Sequence, residues 1–130
     1  MPKHMLIVDD DPSIRDLIAA AFTSEDCIVD AAESGESCLA HLRAHRPDLL
    51  LLDVQMPGQD GFQTLKKIRA DETLRHVPVV MLTAKRSAKD VAQAREMAVA
   101  DYLAKPINLI QLARRVERVL QAGDEGVWTV

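Results

Sequence analysis

The chain has 130 residues and a net charge of −4, and 48% of its residues are hydrophobic while 28% are charged. This length suits one compact domain with one core, and the acidic balance gives no general attraction to nucleic acid. No apolar stretch approaches the roughly 20 residues that span a bilayer, and no signal-peptide pattern opens the chain. We therefore expect a cytoplasmic domain that does not enter a membrane and does not itself bind nucleic acid.

Strand-length apolar runs alternate with stretches of helical period along the chain. This alternation predicts a parallel sheet with helices on its faces. The strands are expected at residues 5–8, 27–30, 49–52, 78–82 and 102–104. The helices are expected at residues 13–23, 35–44, 61–70, 88–99 and 109–121. Five βα units with right-handed crossovers make a doubly wound sheet, which places ligands at the carboxyl ends of its strands.

Helix ends and packing add detail to this pattern. Asp11 or Ser13 is expected to cap the first helix, and Pro12 suits a position near its start. The fourth helix is rich in alanine and has no clean apolar stripe, so we expect it to pack loosely. Residues 4–122 are expected to form the domain, and residues 123–130 a tail or the start of a linker.

The two cysteines give no sign of a functional pair. Cys27 and Cys38 are too few and too far apart in the chain to suggest a zinc site or a redox couple. We expect two reduced and partly buried thiols.

Four of the apolar runs end abruptly in a residue that can do chemistry. Asp9 and Asp10 follow the first strand, Asp53 the third, Thr83 ends the fourth, and Lys105 follows the fifth. Carboxylates brought together repel one another unless a cation joins them, and oxygen ligands without His or Cys favour Mg²⁺. The lysine suits an anion such as phosphate. Acid, metal, lysine and hydroxyl around one carboxylate equip a site for phosphorylating that carboxylate.

Four segments of the chain resemble the receiver domain of two-component response regulators, in the order and spacing of that family. The likeness covers about residues 6–120, and the four segments together are far more specific than any one of them. The matching segments are Ile7-Val8-Asp9-Asp10-Asp11-Pro12, Leu52-Asp53-Val54-Gln55-Met56-Pro57-Gly58-Gln59-Asp60-Gly61, Met81-Leu82-Thr83-Ala84 and Asp101-Tyr102-Leu103-Ala104-Lys105-Pro106.

The resemblance implies a flavodoxin-like fold with strand order 2-1-3-4-5 and a phosphoryl acceptor at Asp53. The donor would be a sensor histidine kinase or a phosphotransfer protein. The resemblance also implies that Asp9, Asp10, Asp53 and the backbone carbonyl of Gln55 hold Mg²⁺, while Lys105 pairs with the aspartyl phosphate. Such a domain is not a conventional enzyme, because it catalyses only its own phosphorylation and slow dephosphorylation.

The resemblance further implies a switch. Thr83 would turn to hydrogen-bond the phosphoryl group together with the Ala84 amide, and Tyr102 would turn inward in response. These movements would bias the face made by the fourth helix, fifth strand and fifth helix, and so control a partner or effector domain. The Lys105-Pro106 peptide bond is expected to be cis.

Three positions depart from the family pattern or leave their effect open. Ala98 stands where a glycine commonly ends the fourth helix, so we expect this helix to close without a left-handed residue. Gln55 and Lys85 occupy positions that tend to tune phosphoryl lifetime in the family, and the sequence does not give the sign of their effect.

Other interpretations stay open at this point. A haloacid-dehalogenase-like phosphatase would use Asp9 as its nucleophile, but Met56-Pro57 would then be unexplained. A degenerate receiver would only bind partners. Charges on the last helix could serve a homodimer contact, although a solvated helix face is the more ordinary interpretation. Those charges are Arg114, Arg115, Glu117 and Arg118.

Overall fold

A computed structural model describes residues 2–122 and contains one five-stranded parallel sheet in the order β2-β1-β3-β4-β5. The strands are β1 Lys3–Val8, β2 Cys27–Ala32, β3 Leu49–Leu52, β4 Val79–Thr83 and β5 Asp101–Ala104. The helices are α1 Pro12–Phe22, α2 Gly35–Ala44, α3 Gly61–Ala70, α4 Ala88–Glu96 and α5 Leu109–Ala122. The predicted flavodoxin-like architecture is confirmed. The expected tail, residues 123–130, lies outside the described residues.

The core forms two layers because successive strand residues point to opposite faces of the sheet. Leu50 and Leu52 face the layer that contains α2 and α3, whereas Leu49 and Leu51 face α1 and α5. All four leucines of β3 are fully buried, which explains why this strand is a continuous apolar run rather than an alternating one. No helix within residues 2–122 is long and apolar enough to cross a bilayer.

The ends of several elements differ from the predicted ones. β2 continues past Asp30 because Ala31 and Ala32 pair with Ile7 and Val8 of β1. β4 begins one residue later than predicted and includes Thr83. β1 begins at Lys3 and β5 at Asp101, α1 is displaced by one residue at both ends, and α5 ends one residue later than predicted.

Two local predictions near the sheet edge are confirmed. Asp11 is the N-cap of α1, where its carboxylate accepts a hydrogen bond from the Ser13 amide at 2.8 Å, and Pro12 is the first helical residue. The Lys105-Pro106 peptide bond is cis.

The prediction for the end of α4 is wrong. The helix stops at Glu96 rather than Val99, and Ala98 adopts the left-handed region with φ of 57°. The Ala98 amide donates to the carbonyl of Arg95 at 3.1 Å, so the chain still closes the helix in the way a glycine would. An alanine in this conformation is strained by about 1–2 kcal/mol because its Cβ crowds the following carbonyl.

Ala98→Gly is therefore expected to raise the free energy of unfolding by about 1 kcal/mol, since relief of strain exceeds the extra entropy of the unfolded glycine. Urea unfolding followed by circular dichroism measures the change. Ala92→Gly is the matched control, because Ala92 is exposed inside the same helix and should lose about 1 kcal/mol. An Ala98→Gly variant less stable than the wild type would contradict the strain assigned to this turn.

The two thiols differ in environment more than the sequence predicted. Cys38 is fully buried and Cys27 is half-buried, and both are free thiols. Burial raises the pKa of the Cys38 thiol to about 12. Burial, together with the charge of Asp48, also raises the pKa of Cys27.

Because the thiolate is the reactive form, Cys38 should react with an aromatic disulfide reagent roughly a hundredfold more slowly than Cys27 at about pH 8. Both thiols should react rapidly in denaturant. Single Cys27→Ser and Cys38→Ser variants assign the two phases of the reaction. Equal rates for the two thiols in the folded protein would show that Cys38 is not sealed in the core.

Candidate functional site

Strand register brings the predicted site residues to one edge of the sheet. Val8 is paired with Leu52, so Asp9 and Asp53 leave their strands side by side. The Asp53 amide continues the ladder by donating to the Val8 carbonyl at 3.0 Å. On the other side, the Lys105 amide donates to the Thr83 carbonyl at 2.9 Å.

Three carboxylates form a compact acidic cluster at this edge. Oxygen atoms of Asp9, Asp10 and Asp53 all lie within 4.8 Å of one another. Asp9 and Asp53 are almost fully buried, with 1% and 4% of their surface exposed, whereas Asp10 is exposed. Burial raises the pKa of Asp9, and the neighbouring charge of Asp53 raises it further, against the lowering effect of Lys105. Three carboxylates beside a single lysine form an oxygen donor set whose repulsion is only partly offset, which fits a hard divalent cation such as Mg²⁺.

Lys105 joins two of these carboxylates. Its Nζ lies 2.7 Å from Oδ2 of Asp9 and 2.9 Å from Oδ2 of Asp53. Burial alone would lower the pKa of Lys105, but the hydrogen bonds to Asp9 and Asp53 outweigh it and raise the pKa. The lysine is therefore a fixed positive charge at the carboxylate that the sequence predicts to be the acceptor.

Backbone amides orient the remaining carboxylate oxygens. Oδ1 of Asp9 accepts from the Asp11 amide at 2.9 Å, and Oδ1 of Asp53 accepts from the Gln55 amide at 3.1 Å. The Arg15 guanidinium donates to the carbonyl of Asp9 at 2.7 Å and so ties α1 to the end of β1. Both buried carboxylates are thus held in one orientation by bonds to their own loops.

Gly61 is a site residue that sequence reasoning missed. A Cβ atom at this position would lie 2.1 Å from the carbonyl oxygen of Asp53 and 2.8 Å from Cα of Val54. The Gly61 amide also donates to the Val54 carbonyl at 2.9 Å. The start of α3 therefore packs directly against the backbone of Asp53. In the sequence Gly61 closes the segment Leu52 to Gly61 that resembles the family, but nothing there indicated a contact with the backbone of Asp53.

Thr83 and Tyr102 both contact the backbone of one residue, Lys85. The buried Thr83 hydroxyl accepts from the Lys85 amide at 3.2 Å, and the Tyr102 hydroxyl donates to the Lys85 carbonyl. Burial, with the charges of Asp90 and Asp53, raises the pKa of Tyr102 to about 12. Ser87 is the N-cap of α4. The exposed Ala84 follows the end of β4.

Asp101 is a second residue whose importance the sequence did not reveal. Its buried carboxylate accepts hydrogen bonds from both arginines. Nη1 of Arg115 donates to Oδ1 at 2.8 Å and to Oδ2 at 2.7 Å, and Nη2 of Arg118 donates to Oδ2 at 2.9 Å. It also accepts from the Tyr102 amide at 2.9 Å. Two of the charges expected on a solvated face of α5 therefore bind α5 to β5, which corrects that interpretation.

The family model of the response regulator receiver domain matches residues 5–117, which include the three carboxylates, Thr83 and Lys105. The chain belongs to the response regulator receiver family. It is therefore a receiver domain of two-component signalling, and nothing in the comparisons supports a haloacid-dehalogenase-like phosphatase.

Relatives and solved structures agree with this assignment. The receiver domain is 40% identical over 124 residues to the transcriptional regulatory protein AfsQ1 of Streptomyces coelicolor, covering 95% of this chain and 53% of that protein. The chemotaxis protein CheY4 of Vibrio cholerae superposes with a TM-score of 0.85 at 28% identity, covering 92% of this chain and 99% of that one. The phosphorylated cyanobacterial phytochrome response regulator RcpA superposes with a TM-score of 0.81 at 31% identity, covering 95% of this chain and 94% of that one.

The receiver domain matches only part of its curated relatives. It spans about half the length of AfsQ1 and 26% of the length of Response regulator PleD of Caulobacter vibrioides. The predicted domain bounds of residues 4–122 stay a prediction.

Proposed function

We propose that this receiver domain is a switch in which Asp53 accepts a phosphoryl group from a sensor histidine kinase or a phosphotransfer protein in the cytoplasm. The observation that carries the proposal is the pair of bonds from Lys105 to Asp9 and Asp53, beside the compact carboxylate cluster. Of the three carboxylates, only Asp53 is both buried and set at the end of the central strand β3. The phosphorylated state of RcpA is that protein's own and supports the proposal by analogy.

Asp9, Asp10, Asp53 and the backbone carbonyl of Gln55 are the proposed ligands of Mg²⁺. When bound, the metal would supply positive charge that offsets the repulsion between the Asp53 carboxylate and an incoming phosphoryl group. Oxygen ligands alone, three of them carboxylates within 4.8 Å of one another, fit this role.

The chain's own residues account for the rest of the reaction. One carboxylate oxygen of Asp53 attacks phosphorus, and the bond from phosphorus to the donor's imidazole nitrogen breaks, with its electron pair leaving on that nitrogen. The Gln55 amide and Lys105 hold the two oxygens of Asp53 at 3.1 and 2.9 Å and so keep the carboxylate oriented for attack. Lys105 then pairs with the phosphoryl group on the acyl phosphate product. Attack of water on that product reverses the signal.

The output is proposed to pass through the backbone of Lys85. Thr83 contacts its amide and Tyr102 its carbonyl, so a Thr83 hydroxyl that turns to the phosphoryl group releases one of these two contacts. Ala84 would add its amide to the phosphoryl group. The change would bias the positions of α4, β5 and α5, the face proposed to contact a partner, an effector domain or a second copy.

The effector is proposed to be a separate domain or protein. The curated relatives are longer than the matched region, and AfsQ1 is a transcriptional regulatory protein. Direct binding of nucleic acid by the receiver domain is not proposed, because its net charge is −4. A degenerate receiver is disfavoured, since every residue that the family's chemistry needs is present at the sheet edge.

The experiment is intact-protein mass spectrometry after incubation with acetyl phosphate, with and without Mg²⁺. The proposal predicts one added phosphoryl group that requires Mg²⁺ and is absent from Asp53→Asn. Asp11→Asn is the matched control, because this carboxylate caps α1 and should leave phosphorylation intact. A wild-type protein that gains no phosphoryl group from acetyl phosphate and Mg²⁺ would overturn the proposal.

A further inference from the structure

Arg69, near the end of α3, binds four backbone carbonyls that belong to two other segments. Its Nε donates to Met97 at 2.9 Å and its Nη2 to Ala98 at 3.2 Å, both at the end of α4. Its Nη1 donates to Arg75 at 2.8 Å and Val77 at 2.9 Å, in the loop that leads into β4. One guanidinium thus links the C-terminal end of α4 to the loop that precedes β4 through hydrogen bonds.

The chemistry of this contact suits a helix end. The last carbonyls of a helix have no partner within the helix and carry its partial negative charge, which a partly buried cation can satisfy. Burial lowers the pKa of Arg69, but a guanidinium stays protonated at neutral pH. The carbonyls of Met97 and Ala98 lie at the turn where Ala98 adopts its strained left-handed conformation. The Arg69 guanidinium therefore stabilises a turn that is strained by the left-handed conformation of Ala98.

The rest of α4 is weakly fixed by packing. Ala94 is the one buried residue of the helix, as the sequence predicted for a loosely packed element. At its first turn, the Ser87 hydroxyl accepts from the Asp90 amide at 3.1 Å on an exposed surface. The two ends of α4 therefore differ, because the partly buried guanidinium of Arg69 binds the carbonyls at the C-terminal end, whereas the N-terminal end has an exposed serine cap.

We infer that Arg69 is a positioning residue that anchors the C-terminal end of α4, so that α4 moves mainly at its N-terminal end, beside Thr83 and Lys85. The anchoring is a property of the unphosphorylated protein. The direction of movement on phosphorylation rests on the proposed function. A helix hinged in this way transmits a small displacement at Thr83 without unfolding its far end.

Hydrogen exchange of the unphosphorylated protein tests the anchor. Arg69→Met should raise the exchange rate of residues 97–100 at least about tenfold more than that of β3, since a bond to a charged group is lost at the turn. Lys66→Met is the matched control, because Lys66 is exposed on the same helix and should leave that rate unchanged. Equal acceleration of residues 97–100 and β3 in Arg69→Met would overturn the anchor.

Rescue separates anchoring from general loss of stability. Adding Ala98→Gly to Arg69→Met should slow exchange of residues 97–100 by roughly tenfold, because glycine adopts the left-handed conformation without strain. Arg69→Lys keeps the charge but cannot bind four carbonyls at once, so it replaces Arg69→Met if that variant does not fold, and it should exchange residues 97–100 faster than the wild type. No slowing on addition of Ala98→Gly to the folding-competent Arg69 variant would overturn the link to the strained turn.

The direction of movement is tested with beryllium fluoride, a mimic of the phosphoryl group, in the presence of Mg²⁺. In the wild type the mimic should change exchange of residues 84–92 and leave residues 97–100 unchanged, while in the Arg69 variant the change should spread to residues 97–100. An equal change at both ends of wild-type α4 would overturn the hinge. If the mimic changes the exchange rate at neither end of α4, both the hinge and the proposed switch are wrong. The anchoring role of Arg69 is still tested separately by exchange of the unphosphorylated protein.

Discussion

Lys105→Met is expected to lower the free energy of unfolding by about 2 kcal/mol in Mg²⁺-free buffer and to slow phosphorylation roughly a hundredfold. The lysine bonds two carboxylates that are nearly fully buried, so its removal leaves both negative charges without their shared partner. Loss of one member of a buried pair costs about 3–5 kcal/mol, and the partial exposure of Lys105 places this loss below that range.

The effect of Mg²⁺ on stability gives a second test of the role of Lys105. Because Mg²⁺ would supply the missing positive charge, millimolar Mg²⁺ should stabilise Lys105→Met more than it stabilises the wild type. Urea unfolding with and without Mg²⁺ measures stability, and transfer from acetyl phosphate measures phosphorylation. Lys66→Met is the matched control, since Lys66 is an exposed lysine on α3. A Lys105→Met variant as stable as the wild type without Mg²⁺ would contradict the role assigned to the ion pairs.

Gly61→Ala is expected to lower the free energy of unfolding by about 3 kcal/mol and to impair phosphorylation of Asp53. The added methyl group would lie 2.1 Å from the Asp53 carbonyl oxygen, and both nearest neighbours are backbone atoms that no side-chain rotation can move. The structure must therefore shift α3 or the loop that carries Asp53. Either shift displaces the carboxylate from Lys105.

Gly58→Ala separates crowding from backbone strain. Gly58 has φ of 75°, and a methyl group added there would meet no atom within 4 Å, so its substitution costs about 1 kcal/mol through conformation alone. Gly58→Ala should retain Mg²⁺-dependent phosphorylation near the wild-type rate, whereas Gly61→Ala should not. Unfolding curves and acetyl phosphate transfer on both variants provide the measurement. Equal behaviour of the two variants would show that Gly61 does not position Asp53.

The parallel sheet and its site edge could be predicted because strong local patterns agree with the global fold. Leu49 to Leu52 form a continuous apolar run of strand length, which fits a strand covered on both faces, and Asp53 then leaves at its carboxyl end. The same logic places Asp9 and Lys105 at that edge, where they prove to lie in contact. These inferences need only strand direction and order.

Features that depend on partners distant in the chain could not be predicted. β2 ends at Ala32 because it pairs with β1, although Asp30 is an exposed polar residue that suggested an earlier end. Asp101 is buried only because Arg115 and Arg118 reach it from α5. No residue near these positions carries the information.

Local backbone geometry was the second kind of feature that could not be predicted from the sequence. The end of α4 was misjudged because a lone alanine gives no sign that it will adopt a left-handed conformation. The contact of Gly61 with the Asp53 backbone and the four carbonyls bound by Arg69 depend on distances of a few ångströms. Periodicity and composition do not specify geometry at that scale.

Borohydride trapping of the phosphorylated protein, followed by peptide mass spectrometry, tests the central claim most directly. Reduction converts an aspartyl phosphate to homoserine and so marks the acceptor permanently. We predict homoserine at position 53 alone, formed only when acetyl phosphate and Mg²⁺ are both present. Homoserine at Asp9 or Asp10, or a phosphoryl group on the protein with Asp53 unmodified, would contradict the account.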